Sequence, residues 1–193
     1  MSATESTMME LGTQAPDFSL RDVVTGGAVA LRDFASRKAL LVMFICRHCP
    51  YVKHIQGGLA RLGRDCADKD IGIVAISAND ADRYPDDAPA SLAEMVREVG
   101  FRFPLCHDAS QAVAAAFGAA CTPDFFLFDQ DRRLVYRGQF DDSRPGNAAP
   151  VTGADLRAAL DAVLGGRPVS PRQKASIGCN IKWKPGYAPA YAA

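Results

Sequence analysis

One junction constrains this chain more than any other feature. Leu40-Leu-Val-Met-Phe-Ile45 is an unbroken apolar run of strand length, and Cys46-Arg47-His48-Cys49 follows at once. Val52, Ile55, Leu59, Leu62 and Cys66 then recur at spacings of 3, 4, 3 and 4. A continuous apolar strand suits the centre of a sheet covered on both faces. The alternating spacing is one stripe of an amphipathic helix. Two cysteines therefore lie between a buried strand and the first turn of a helix.

The same reading extends along the chain. Phe18-Ser-Leu20 and Ala28-Val-Ala-Leu31 flank the turn signal Thr25-Gly26-Gly27 and predict a small hairpin. Ile71 to Ser77 is a second buried strand. A polar loop over 78–90 leads to Ser91-x-x-Glu94, which has the form of a capping box, with Leu92, Met95, Val96 and Val99 inward. Ser110 to Ala119 reads as an Ala-rich helix. Phe125–Phe128 and Leu134–Tyr136 read as a hairpin around Asp129–Arg132. Leu156, Leu160, Val163 and Leu164 mark a last helix that Gly165-Gly166 stops. Alternating strands and helices, then a hairpin and a closing helix, predict an α/β domain: a central mixed sheet with helices on both faces, an N-terminal hairpin and a C-terminal extension. We divide the chain into a polar leader (1–11), the domain (12–166) and the extension (167–193). The extension carries Ile177, Cys179, Ile181 and Trp183, residues that favour docking over solvation.

Charge narrows the function. Lys plus Arg number 22 and Asp plus Glu number 22, a net charge of zero, which favours neither nucleic acid nor an anionic membrane as partner. The longest strongly apolar run, Ala39 to Cys46, falls far short of the roughly 18 residues that span a bilayer. The opening MSATESTMMELG has neither a basic nor an apolar signal region, so a cytoplasmic location is expected. There are 6 cysteines, too few for a disulfide-built scaffold, and Cys46 and Cys49 are the one close pair.

In a reducing compartment a C-x-x-C is a redox or a metal site before it is a structural bridge. Half a zinc site needs a second ligand pair, and the other histidines, His54 and His107, do not form one. The redox reading assigns roles. Cys46 is expected to point outward at the helix N-terminus, where free N–H groups and the helix dipole favour its thiolate, with Arg47 and His48 adding positive character. Cys46 is then the nucleophile that attacks a substrate disulfide, and Cys49 the resolving thiol that displaces the product. A thiol donor must reduce the resulting internal disulfide.

Phe44-Ile-Cys-Arg-His-Cys-Pro-Tyr-Val-Lys53 resembles the active-site turn of the thioredoxin-fold redoxins, and more narrowly the peroxiredoxin-like branch of the AhpC/TSA-redoxin group. Gly12-x-x-Ala-Pro-Asp-Phe18, Cys121-Thr-Pro-Asp-Phe-Phe-Leu-Phe-Asp129, Tyr136-Arg-Gly-Gln-Phe-Asp-Asp142 and Ser176-Ile-Gly-Cys-Asn-Ile-Lys-Trp-Lys-Pro185 resemble other segments of that branch. The resemblance implies a thioredoxin-like fold and thiol–disulfide oxidoreductase activity without a cofactor or metal. It implies a disulfide-bearing protein or small molecule as substrate. It also implies a cis Thr122–Pro123 bond facing the pair, whose preceding backbone is open to pair with a substrate chain. His48 before the second cysteine resembles the isomerases and implies a more oxidising disulfide than thioredoxin's. Arg47, His48, Thr122 and Pro123 are thus supporting residues, and Cys121 and Cys179 are candidates for additional redox thiols.

Two departures bear on the alternatives. Peroxiredoxins place a Thr hydroxyl three residues before the reactive Cys, where this chain has Met43 before Cys46 and Cys46 before Cys49. That weighs against the first alternative, a thiol peroxidase. The strand Leu40–Ile45 also lacks the buried carboxylate that moves the second thiol's proton in thioredoxins. The other alternative, a copper or zinc carrier of redoxin fold, rests on thiolate affinity for such metals. Cys66 and Cys106 are expected to be core.

Overall fold

The structure, a computed structural model, describes residues 3–192. Its elements are β1 (Ala3–Glu5), β2 (Ser19–Asp22), β3 (Ala28–Ala30), β4 (Ala39–Phe44), α1 (Pro50–Asp65), β5 (Ile71–Ser77), α2 (Pro89–Val99), β6 (Leu105–His107), α3 (Ala112–Ala116), β7 (Cys121–Thr122), β8 (Asp124–Phe128), β9 (Leu134–Gly138), α4 (Ala154–Leu164) and β10 (Ile177–Asn180). Among the described residues no helix is long and apolar enough to cross a membrane.

The main sheet has the order β3-β2-β6-β5-β4-β8-β9. It is mixed: β4 pairs parallel with β5 and β5 with β6, while β8 runs antiparallel beside β4. Every residue of β4 is buried, as its unbroken apolar sequence requires of a strand covered on both faces. Alternation divides its side chains. Leu41 and Met43 join the layer of α1, α2 and α4, through Val52, Leu59, Leu92, Met95, Leu156 and Leu160. Leu40, Val42 and Phe44 meet the opposite layer, which contains Phe117 just beyond α3. Phe117 is fully buried and packs edge-on against Phe44, Phe126 and Phe128 at centroid distances of 5.5, 5.7 and 6.0 Å.

A second, three-stranded sheet of order β1-β10-β7 closes one end of the molecule. It draws β1 from the segment read as a polar leader and β10 from the extension. β10 pairs antiparallel with both neighbours, and Ile181 just beyond it is buried. Such short segments carry too little periodicity to be read as strands.

Two local expectations are corrected. Ser91 and Glu94 form no capping box, because Pro89 starts α2 two residues earlier with Ala88 as its cap. The Ala-rich helix is only Ala112–Ala116, since Gly118 at positive φ turns the chain soon after it.

The aromatic packing gives a test of this layer. Phe117→Ala is expected to lower the unfolding free energy by about 3–5 kcal/mol, as for other buried aromatic truncations. Urea denaturation measures this, and a loss below about 1 kcal/mol contradicts the packing described.

Candidate active site

Cys46 and Cys49 lie in the connection between β4 and α1, and the helix begins later than its apolar stripe suggests. Pro50, whose fixed φ suits a first helical position, opens α1, which leaves Cys49 as the N-cap. Cys46 precedes the helix entirely and has no solvent exposure. The expectation of an outward-pointing Cys46 at the helix N-terminus is therefore corrected. The residue that receives the helix end is Cys49, itself fully buried.

Both sulfurs meet Thr122, the residue before the cis Thr122–Pro123 peptide. Cys46 Sγ lies 3.3 Å from Thr122 Oγ1, and Cys49 Sγ lies 3.1 Å from the Thr122 carbonyl oxygen. Their protonation separates. The Cys46 S–H hydrogen-bonds Cys49; this, burial and the negative charge of Asp87 hold the Cys46 pKa well above the usual thiol range. The Cys49 thiol falls to about 5. The Cys46 hydrogen bond is the main cause, opposed by burial and aided by the Cys179 thiol and the backbone N–H groups of Val52 and Cys179. Burial and the Thr122 carbonyl, which accepts from the Cys49 S–H, favour the protonated form of Cys49, while its neighbours lower its pKa, so Cys49 is the more acidic thiol of the pair.

Arg47 and His48 do not act as expected either. The Arg47 guanidinium turns away to α2, donating to the Ser91 carbonyl at 2.6 Å, Ser91 Oγ at 2.8 Å and Glu94 Oε2 at 2.8 Å, and reaching Glu98 Oε2 at 3.1 Å. His48 Nδ1 meets Asp87 Oδ2 at 2.5 Å, and its ring stacks on Tyr84. Each cation is thus matched by carboxylate, and neither is free to draw a thiolate onto Cys46. The low pKa of Cys49 arises from hydrogen bonds instead.

Asp87 is the residue that sequence reasoning missed. Fully buried, it accepts from the Arg47 N–H at 2.7 Å, the His48 N–H at 3.3 Å and the Asn79 amide at 2.7 Å, as well as from the imidazole. One carboxylate fixes the whole turn. No spacing distinguishes it from Asp80, Asp82 or Asp86 in the same polar loop. Cys46, His48 and Asp87 present three potential metal-ligand atoms within 4.8 Å of one another. The His48–Asp87 contact, however, already engages the carboxylate with the ring.

The other candidates, Cys179 and Cys121, both lie beside Thr122, one paired with it and the other preceding it on β7. Cys179 is paired in register with Thr122 on β10, and its thiol and N–H both meet Cys49. Cys121 is buried and directs its S–H toward the carbonyls of Pro123 and Ser176, at 3.6 and 4.0 Å. The backbone before the cis proline is not open as expected, because β10 already pairs with Cys121–Thr122. Cys66 and Cys106 are buried away from the turn, and burial raises both pKa values. Arg137, on β9, is tied to Gln173 and to the Met9 carbonyl.

The AhpC/TSA family matches over residues 11–137. The chain belongs to the AhpC/TSA family. An uncharacterized conserved protein from Geobacillus kaustophilus is 54% identical, with TM-score 0.94 over 96% of this chain and 98% of its own. A hypothetical protein from Sinorhizobium meliloti 1021 is 52% identical, with TM-score 0.93 over 95% of this chain and 100% of its own. Thiol-disulfide oxidoreductase ResA of Bacillus thuringiensis (strain Al Hakam) is 24% identical over 133 residues, 66% of this chain and 68% of the relative. The fold of this AhpC/TSA member is thioredoxin-like: a putative thiol:disulfide interchange protein DsbE from Chlorobium tepidum shares it at TM-score 0.63 and 18% identity.

The His48–Asp87 contact makes stability depend on pH. Asp87 raises the His48 pKa above its ordinary 6.5, so that contribution is complete below 6.5 and is lost as pH rises through the raised value. Asp87 itself is subject to burial, which raises its pKa, but its hydrogen bonds with His48 and Asn79 hold it below the ordinary 3.8. Its contribution is complete above 3.8 and is lost as pH falls through the depressed value. In Asp87→Asn the His48 pKa, followed by NMR, is expected to drop, and the loss of stability on the alkaline side to flatten. A wild-type His48 titrating at or below 6.5 contradicts the pairing.

Proposed function

We propose that the chain is a thiol–disulfide oxidoreductase whose Cys46 and Cys49 exchange disulfides with a protein or small-molecule substrate, drawing electrons from a thiol donor. One observation carries this reading: both sulfurs of the C-x-x-C lie against Thr122 and the cis proline, Cys46 Sγ 3.3 Å from Thr122 Oγ1 and Cys49 Sγ 3.1 Å from its carbonyl oxygen, where the Cys49 pKa is lowered and the Cys46 pKa raised. A pair in that state can attack as thiolate without an outside base.

Cys46 is the attacking sulfur in this reading. Cys49 is roofed by β10, whereas Cys46 lies within 4.8 Å of the imidazole of the partly exposed His48. A disulfide that reaches Cys46 past the His48–Tyr84 stack meets a thiol whose proton can pass along the existing hydrogen bond to Cys49. The Cys46–substrate bond forms, the substrate disulfide breaks, and one half leaves as a thiolate that takes the proton from Cys49. Cys49 then attacks Cys46, releasing the second half and leaving a Cys46–Cys49 disulfide; two electrons have moved to the substrate.

The test is insulin reduction with dithiothreitol as donor. Cys46→Ser is expected to abolish turnover. Cys49→Ser is expected to lose steady-state turnover and accumulate Cys46-linked mixed disulfides, detected by mass spectrometry under non-reducing conditions. Full activity in Cys46→Ser overturns the reading.

A further inference from the structure

We propose that Cys179 is a third redox thiol, which attacks Cys49 of the Cys46–Cys49 disulfide and carries the oxidised state to the outer edge of the site. The step builds on the exchange reading above.

The placement of β10 carries the argument. A Cβ on Gly178 would lie 1.9 Å from the Thr122 carbonyl oxygen, so only glycine lets this strand come so close to the turn. On its other side β10 is held by β1, where Ala3 pairs with Cys179. The result is a cysteine held in register with Thr122, whose carbonyl oxygen lies 3.1 Å from Cys49 Sγ, and Cys179 is close enough to that sulfur to lower its pKa. Among the three thiols, Cys46 and Cys49 have no exposure and Cys179 has 3%, so Cys179 is the outermost.

The exchange balances within the protein. Cys179 attacks the Cys49 sulfur, a Cys49–Cys179 bond forms, the Cys46–Cys49 bond breaks, and Cys46 leaves. The proton released by Cys179 goes to Cys46, the sulfur that retains a proton most strongly. No electrons enter or leave. The donor thiol that the exchange reading already requires then attacks Cys179, which is buried but at 3% exposure is less enclosed than either cysteine of the turn. Cys49 departs as a thiolate stabilised by the Val52 and Cys179 N–H groups, and a low leaving-group pKa speeds such attack. A second donor thiol resolves the donor–Cys179 mixed disulfide, so the donor gives up two electrons in all.

The experiment oxidises Cys46→Ser with glutathione disulfide and maps linked peptides by mass spectrometry after non-reducing proteolysis. A Cys49–Cys179 peptide is expected, and none in Cys46→Ser/Cys179→Ser. In wild type, titrated with graded glutathione disulfide and quenched by alkylation, Cys46–Cys49 and Cys49–Cys179 peptides are expected together; this arm requires no substitution. Oxidised Cys179→Ser is expected to be reduced by dithiothreitol several-fold more slowly than wild type. Absence of the Cys49–Cys179 peptide from wild type and from folded Cys46→Ser overturns the proposal, as does an unchanged reduction rate in Cys179→Ser. The Cys46→Ser arm needs no Cys46–Cys49 bond, so its failure is distinct from failure of the exchange reading, which insulin turnover judges.

Discussion

A negative charge buried at a helix N-cap survives only if donors surround it, and that requirement organises this molecule. Desolvation alone would keep Cys49 protonated. Three separate parts of the chain offset it: Cys46 from the loop after β4, Val52 from the first turn of α1, and the thiol and backbone of Cys179 from β10. The loop after β4, the helix start and the C-terminal strand are therefore coupled through one sulfur. Thr122 joins them from the fourth side, touching Cys46 through its hydroxyl and Cys49 through its carbonyl while pairing with Cys179.

The residues between the two cysteines serve geometry more than charge. Arg47 ties the turn to the exposed side of α2 through a backbone carbonyl, a hydroxyl and two carboxylates. His48 and both backbone N–H groups of the turn converge on Asp87. The turn is held open for chemistry by a buried carboxylate that lies nearly forty residues downstream. Its negative charge also acts on Cys46, reinforcing the proton there.

The strong patterns were legible in the sequence for a physical reason: a strand covered on both faces and a long amphipathic helix each leave a periodic record. β4, β5, α1 and the β8–β9 hairpin follow from that record alone. The cis bond before Pro123 came from family resemblance and not from periodicity. What stayed hidden depends on contacts distant along the chain. β1 and β10 are 3 and 4 residues long and gain their identity only by pairing with each other and with β7. Asp87 is one acid among several in a polar loop. The outward placement of Cys46 at the helix start is corrected because Pro50 shifts that start past both cysteines and leaves Cys46 buried. Cys179 was a candidate on sequence alone, and only the register of β10 against Thr122 shows which sulfur it meets.

The central claim is that Cys49, not Cys46, holds the thiolate in the reduced protein. It is tested most directly by carbon NMR of protein labelled at the cysteine Cβ, titrated with pH under reducing conditions. The expected result is one cysteine ionising at a pH near 5, assigned to Cys49 by its loss in Cys49→Ser, with Cys46 remaining protonated through neutral pH. A first ionisation assigned to Cys46, or no cysteine ionising below the ordinary thiol value of about 8.5, contradicts the account.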